Sequence, residues 1–270
     1  MRAAPYRGVF ALIVVTVLAS GPVLAGGIDP WADRVVSFSS GIGPVPGYDN
    51  PAATLGSPER VTGRAFGFPS SVTPFNPPFQ NDEIVSIGAG GHLTVEFFEP
   101  ITNSASNLFG VDLLIFGNGF FTGSPISGIF EEGPFTVSVS SNGSDFVTLP
   151  GLYFDGMFPT LGFLDSTDPF GSDGGLVPSD FTRPVNPALS LVDFTGLSFA
   201  QLIALYDGSG GGIPVDIGPS GLSEVYFVRL DVLDGKIEID AFSTVPEPHS
   251  LLLVAGLALA LRRGALSRGR

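Results

Sequence analysis

The 270-residue sequence predicts an all-β, antiparallel sandwich, and three observations support this prediction. Short segments of alternating apolar and polar residues recur between residues 84 and 243, and Gly, Pro, Asn and Asp separate them. The 37 glycines and 24 prolines interrupt any long helix. Hydrophobic residues form 44% of the chain and charged residues only 14%, which excludes a disordered polyelectrolyte and favours a fold with a core.

The first strands follow from the period of two that side chains show along an extended chain. Leu93, Val95 and Phe97 share one face of a predicted strand from 92 to 99. The uninterrupted apolar run from 111 to 116 predicts a strand that is buried on both faces.

A hairpin is predicted next. Apolar and polar residues alternate from 135 to 140, and a return strand runs from 146 to 149. Between them, Asn142 and Gly143 are the residues preferred in a type I′ turn, which needs two positive φ angles.

The body is predicted to end in another pair of strands. Four apolar residues share one face of the first of them: Tyr226, Val228, Leu230 and Val232. Asp234-Gly235 fits a second tight hairpin, and residues 236 to 242 form the last strand.

One short helix is predicted from 199 to 206, with Ser198 as its N-cap and Gly208 beyond its end. The stretch from 151 to 223 is otherwise predicted to be rich in loops. Residues 26 to 83 form an irregular Gly/Pro-rich part with one or two strands, and 84 to 243 form the sandwich domain.

The N-terminus has the organisation of a secretory signal peptide. Arg2 and Arg7 precede an apolar stretch from 9 to 19, and small residues then lead to a predicted cleavage after Ala25. A membrane anchor is the alternative, but eleven apolar residues in a helix reach only about 16 Å, against about 30 Å of hydrocarbon. Residues 1 to 25 are therefore predicted to be a signal-peptide helix that directs export.

The C-terminus, residues 244 to 270, combines an acidic proline motif, an apolar helix and a basic end. Its defining residues are Val245, Pro246, Glu247, Pro248, Arg262 and Arg263. This order resembles the PEP-CTERM sorting signal of Gram-negative bacteria that produce exopolysaccharide. The resemblance implies recognition by an exosortase-type membrane enzyme, transient inner-membrane association through residues 249–261, and delivery to the outer surface or extracellular matrix. A plain C-terminal anchor is the alternative.

The body resembles a group of bacterial surface proteins that carry this sorting signal and share a jelly-roll, galactose-binding-like sandwich. The matching segments are residues 88–91 (GAGG), 111–120 (VDLLIFGNGF), 139–146 (VSSNGSDF) and 238–242 (EIDAF). The resemblance implies a jelly-roll-like order of strands over residues 84 to 243.

Charge and motif content exclude several functions. Residues 26 to 245 hold 25 acidic and six basic residues, so phosphate backbones would be repelled and nucleic acid is excluded as a partner. The chain has no Cys and two His, and no G-x-S-x-G turn or P-loop is present. We therefore predict no catalytic residues and no enzymatic activity, although a carboxylate pair of a glycoside hydrolase stays open.

Carboxylates in the strands suggest a structural Ca²⁺. Glu238 and Asp240 project from one face of the last strand, and Asp112 interrupts an apolar run. Unpaired buried carboxylates are costly, so either the face is solvated or a cation lies there. The proposed ligands are drawn from Asp112, Glu131, Glu238 and Asp240; solvated or Arg-paired carboxylates are the alternative.

The leading functional prediction is a non-enzymatic, exported protein of the cell surface or exopolysaccharide matrix. The second is a Ca²⁺-dependent carbohydrate-binding module with an extracellular polysaccharide as partner, and the third is a secreted hydrolase. Four aromatic residues are candidates for stacking on sugar rings: Trp31, Tyr48, Tyr153 and Tyr206. The acidic loop from 165 to 175 lacks the order of an EF-hand and is predicted to be a solvated turn.

Overall fold

The computed structural model describes residues 29–247, in which two antiparallel sheets form a β-sandwich with strands numbered along the chain. In spatial order, the first sheet contains β1 (Arg34–Ser39), β5 (His92–Thr102), β12 (Glu224–Val232), β9 (Phe135–Ser140) and β10 (Val147–Thr148). The second contains β11 (Ile213–Val215), β6 (Leu113–Gly117), β13 (Lys236–Thr244) and β4 (Val85–Gly88). Two short hairpins pair β2 (Val61–Thr62) with β3 (Ser70–Ser71) and β7 (Phe120–Thr122) with β8 (Gly128–Phe130).

The chain winds through the two sheets in a jelly-roll-like manner. Strands β4 and β5 follow each other in sequence but lie in different sheets, and so do β12 and β13. In each sheet the two strands concerned are neighbours, β4 beside β13 and β5 beside β12. The predicted all-β, antiparallel class is confirmed.

The main core lies between the inward faces of the two sheets. From the first sheet, Leu93, Val95 and Phe97 enter it, as the period of two predicts. Ile115 and Phe242 meet them from the second sheet. Each such side chain stabilises the fold by about 1.5–3 kcal/mol through the apolar area that it removes from water.

The outer faces of the two sheets differ in character. The five-stranded sheet presents polar side chains, including Thr94 and Arg229. On the four-stranded sheet, Leu114 and Phe116 face outward and are covered by Phe181 from the long loop region. This cover explains why the apolar run before Gly117 is buried on both faces, as predicted.

Two short helices lie in the loop region, one more than predicted. Helix α2 (Phe199–Tyr206) has the predicted bounds, and a capping box joins Ser198 and Gln201 at its start. Helix α1 (Leu191–Phe194) is a single turn that places Phe194 in a second apolar cluster together with α2. Among the described residues, no helix has both the length and the apolarity to cross a membrane. The predicted signal-peptide and C-terminal helices lie outside the described residues.

The predicted type I′ turn at Asn142 is wrong. Val147 pairs with Val139, so the connection between β9 and β10 is longer than two residues, and of the Asn142-Gly143 pair only Gly143 has a positive φ. The Asn142 Oδ1 atom instead accepts the backbone N–H groups of Ser144 and Asp145, each at 2.9 Å. The asparagine therefore organises the turn through its side chain.

Two details of the last strands also differ from the prediction. A bulge between Val225 and Phe227 shifts the register of β12, so Val225 is buried and Tyr226 is only half-buried. The Asp234-Gly235 turn carries the chain from one sheet to the other, so it is not a hairpin between paired neighbours.

The N-terminal part contributes directly to the sandwich. Strand β1 pairs with β5 along the edge of the first sheet, so the sandwich begins before residue 84. With β2 and β3, this part holds three strands, whereas one or two were predicted.

Candidate functional site

The four carboxylates predicted to bind Ca²⁺ do not come together in one site. Asp112 precedes Leu113, which pairs with Thr244 near the end of β13, whereas Glu238 and Asp240 lie beside the other end of β6. Four residues along a strand separate these ends by about 13 Å. Within residues 29–247, no group of three or more His, Cys, Asp or Glu is placed to hold a metal ion.

Asp112 is satisfied by neutral donors. Its carboxylate accepts the N–H of Ser104 at 3.2 Å, the side-chain amide of Asn107 at 2.8 Å and the N–H of Ile217 at 3.0 Å. Burial nevertheless raises the pKa of Asp112, and these hydrogen bonds oppose the rise. The residue ties the loop before β6 to the segment after β11.

Glu238 has a cation, but that cation is a lysine. Lys236, the only lysine of the chain, places its ammonium 3.2 Å from Glu238 Oε1 and also pairs with Glu132. The Glu238 side chain is only 8% exposed, so this ammonium supplies the positive charge that burial demands. For Glu238, the cationic partner is therefore a lysine and not an arginine.

Asp155 joins this network and was missed by the sequence analysis. Its two oxygens accept the N–H of Glu132 at 2.6 Å and the N–H of Glu238 at 3.1 Å. Burial is the main reason that the pKa of Asp155 is raised to about 7; the charges of Glu132 and Glu238 add to the rise, and the two hydrogen bonds oppose it. One carboxyl group thus binds the β8–β9 loop to β13.

Asp240 is buried without a basic partner among the described residues. It accepts the N–H of Glu59 at 3.1 Å, and Glu59 and Glu83 are the nearby charges. Burial raises the pKa of Asp240 well above its usual range, and both neighbouring carboxylates add to the rise. Burial therefore favours the neutral form of this carboxyl group over the charged form.

We expect Lys236→Met to destabilise the protein by about 2 kcal/mol, because it leaves Glu132 and Glu238 without their cation. Removing one partner of a fully buried pair costs about 3–5 kcal/mol, and the partial exposure of Lys236 lowers that figure. Urea unfolding measures the change. Arg183→Met is the matched control, since Arg183 pairs with Asp207, whose side chain is 81% exposed, and should cost less than about 1 kcal/mol.

The double variant Lys236→Met/Glu238→Gln should recover part of the lost stability, since it removes the buried charge as well.

Thermal unfolding of the unaltered chain with EGTA or with added CaCl₂ should give an unchanged Tm. A ligand that binds only the native state must raise the Tm, and these contacts provide no calcium site. A Tm that falls with EGTA would contradict this prediction and indicate a calcium site that these contacts do not provide.

A cavity of about 500 Å³ lies beside the Asp155 network. Four separate segments form it: the β7–β8 hairpin with the residue after it, the stretch from 152 to 158, the stretch from 187 to the end of α1, and β11. Its lining is mostly apolar and consists of Phe121, Ile129, Glu131, Leu152, Tyr153, Phe154, Met157, Phe158, Pro187, Ser190, Leu191, Phe194, Ile213 and Pro214. The size and lining suit a small ligand or one part of a larger one.

The rim of this cavity exposes large apolar side chains. Four of its side chains are between 37% and 54% exposed, although side chains of this apolar kind could also lie in the core of the sandwich. They belong to Leu152, Phe154, Met157 and Leu191. Phe158 and Phe194 are buried in the wall and hold the cavity open. A rim of this kind has a surface on which a ring with an apolar face can lie.

Glu131 is the only charged side chain among the described residues that line the cavity. Burial raises its pKa, and no hydrogen bond or ion pair to another described residue offsets the rise. Gly156 makes its position possible, since a Cβ atom at that position would lie 2.4 Å from the Glu131 Cβ. Of the four predicted carboxylates, Glu131 is the one that lines this cavity.

The structure distinguishes the four aromatic candidates for sugar stacking. Tyr153 lines the cavity. Tyr206 is buried and donates its hydroxyl to Pro159 O at 2.8 Å, so it is a core residue. Trp31 packs edge-on against Phe181, and Tyr48 donates to a backbone carbonyl at 2.6 Å. Phe154, which the sequence analysis did not select, lies beside Tyr153 in the cavity.

The acidic loop from 165 to 175 has the features of a solvated turn. Asp165 and Asp173 are exposed and Asp168 is half-buried, and all three accept N–H groups from the loop or from the residue just after it. These hydrogen bonds lower the pKa of all three carboxyl groups. The carboxylates shape the loop and do not converge on the cavity.

Comparisons with known proteins give little further guidance. No family model matches the chain, and no curated protein matches it. Among solved structures, the chain is similar to a pectin-binding carbohydrate-binding module, with 9% identity over 60% of this chain and 71% of that one. The TM-score is 0.26, so the likeness carries no functional argument, and function has to be argued from the residues.

Proposed function

We propose that this chain is an exported, non-enzymatic protein of the cell surface or exopolysaccharide matrix, sorted by an exosortase-type membrane enzyme. The observation that carries the proposal is the order of residues at the two ends. A signal-peptide pattern ends at Ala25, and the chain closes with Val245-Pro246-Glu247-Pro248, an apolar stretch and Arg262-Arg263. This C-terminal order resembles the PEP-CTERM sorting signal.

The ends of the sandwich are compatible with this proposal. Thr244 donates its N–H to Pro30 O at 2.8 Å, so the chain enters and leaves the domain at neighbouring points. Val245 is still part of the fold, since it is buried and donates its N–H to Asp112 O at 2.9 Å. The two prolines and the glutamate of the motif therefore follow directly after the last buried residue of the described domain.

The lining of the cavity supports a non-catalytic role. Hydrolysis of a glycoside by the usual route needs two carboxyl groups on opposite sides of the scissile bond. The cavity lining provides Glu131 alone, and its neighbours Asp155 and Glu238 are held by backbone N–H groups and Lys236.

Polysaccharide binding is the second part of the proposal, and the aromatic cavity favours it. Tyr153 and Phe154 are adjacent in sequence and both line the cavity, and Met157 extends the apolar rim. Sugar rings have apolar faces that pack on such side chains, while their hydroxyl groups bind carboxylates. The sandwich would then anchor the protein in the matrix to which sorting delivers it.

The sorting proposal is tested with the full chain in a bacterium that contains an exosortase. The variant Pro246→Ala/Glu247→Ala/Pro248→Ala should stay in the membrane fraction at full precursor length, whereas the unaltered chain should reach the surface. Cell fractionation and surface labelling measure the difference. Val245 is left unaltered because it belongs to the fold, and Glu99→Gln is the control for a lost surface charge.

Equal surface delivery of the triple variant and the unaltered chain would contradict recognition through this motif. Equal delivery in a strain that lacks the exosortase would contradict the enzyme as a partner.

A further inference from the structure

The cavity holds one negative charge that nothing in its lining neutralises. Glu131 lies at its edge, is partly exposed to solvent, and has no hydrogen bond or ion pair to another described residue. Lys236 is already paired with Glu132 and Glu238. A positively charged group in the cavity would therefore gain a charge-assisted hydrogen bond with Glu131.

The rest of the lining requires that this cation be attached to something apolar and flat. Tyr153 and Phe154 are aromatic, and Met157 and Leu152 extend the apolar surface around them. A free metal ion fits poorly, because the cavity offers one carboxylate where Ca²⁺ takes six to eight oxygen ligands. An acidic sugar fits poorly as well, because its carboxylate would face Glu131 in a chain of net charge −14.

We propose that the cavity binds an amino sugar of an extracellular polysaccharide, with the ammonium group paired to Glu131 and the ring packed on the aromatic lining. This inference rests on the polysaccharide binding proposed above and names the class of sugar. The cavity is expected to bind amino sugars most tightly, neutral sugars less tightly and uronic acids most weakly.

Titration calorimetry tests the preference with the purified full chain and three sets of oligosaccharides of equal length: glucosamine, glucose and galacturonic acid oligomers. The glucosamine oligomers should bind with saturation and the galacturonic acid oligomers should bind most weakly. Glu131→Gln should weaken glucosamine binding by about tenfold, since it removes one charged hydrogen bond, and should change glucose binding far less.

Non-specific attraction between an acidic protein and a cationic oligomer is the main confounding effect. Glu99→Gln removes the same charge from an exposed position of β5 and should leave glucosamine binding unchanged. Phe154→Ala should weaken glucose and glucosamine binding alike, because it removes part of the surface on which either ring lies.

The possible failures are distinguishable. Tightest binding of galacturonic acid, or an equal loss with Glu131→Gln and Glu99→Gln, would overturn the amino-sugar inference and leave polysaccharide binding intact. Binding of none of the three sets would overturn polysaccharide binding itself, while sorting is decided separately. If a lysine-containing peptide bound more tightly than the sugars and its binding depended on Glu131, the ligand of the cavity would be a protein partner and not a sugar.

Discussion

Phe97→Ala is expected to destabilise the protein by about 3–5 kcal/mol, whereas Phe98→Ala should change its stability by less than about 0.5 kcal/mol. The two residues are neighbours on β5 and point to opposite faces of the sheet. Phe97 is 1% exposed in the core between the sheets, and Phe98 is 64% exposed. Truncation of Phe97 leaves a cavity that the surrounding strands fill only partly.

Urea unfolding of both variants measures this difference directly. The pair differs in position alone, so composition, unfolded-state effects and the loss of one aromatic ring are matched. Equal losses for the two variants would show that β5 does not present Phe97 to the core, and would contradict the register of the first sheet.

Stability is expected to increase as the pH falls from 7 towards 4, and Asp155 contributes to this increase. Its pKa is 3.8 in an unfolded chain and about 7 in the folded protein, so in this range the folded state binds more protons. The stability that Asp155 contributes therefore falls as the pH rises from 4 to 7 and levels off above 7. The contribution of Asp155 is on the order of 4 kcal/mol.

Asp155→Asn should flatten this dependence, because the amide does not titrate. The comparison uses the slope of stability against pH, since the amide also replaces one acceptor of a backbone N–H and lowers stability at every pH. Asp112 and Asp240 have pKa shifts in the same direction, and the lowered pKa of His92 acts in the opposite one.

These other contributions are common to Asp155→Asn and the unaltered chain, so they cancel in the difference. Glu132, Glu238 and Lys236 surround Asp155 and are present in both proteins as well. An unchanged slope in the variant would contradict the raised pKa of Asp155.

Local signals allowed several elements to be predicted in detail. Helix α2 begins and ends at the predicted residues because Ser198 caps its start and Gly208 follows its end. Leu93, Val95 and Phe97 are buried together because side chains alternate along any strand. Such features depend on residues within one or two turns of the chain, so the sequence contains the information that they need.

Register and turns were predicted less well, because neighbours distant in sequence decide them. The bulge at Val225 shifts the face of Tyr226, and it forms where β12 pairs with β5 more than a hundred residues away. Asn142-Gly143 has the composition of a two-residue turn, yet the pairing of β9 with β10 leaves room for a longer loop. A period of two cannot report a bulge that the partner strand imposes.

The residues of the candidate site were likewise predicted only in part from the sequence. The sequence analysis selected Glu131 and Tyr153 by residue type, but it grouped Glu131 with three carboxylates that lie elsewhere. It found no role for Asp155, which lies 83 residues from its partner Glu238 and carries no local motif.

By itself, the sequence determined the all-β class, the alternation of buried and exposed positions and helix α2, because each follows from short-range order or composition. Tertiary structure alone decided that Lys236 neutralises Glu238 and Glu132, that Asp155 joins the β8–β9 loop to β13, and that four segments enclose one cavity. The physical reason is that burial creates these effects. A carboxylate needs a partner only when folding removes it from water. An aromatic residue becomes a binding surface only when folding leaves it at the edge of a cavity.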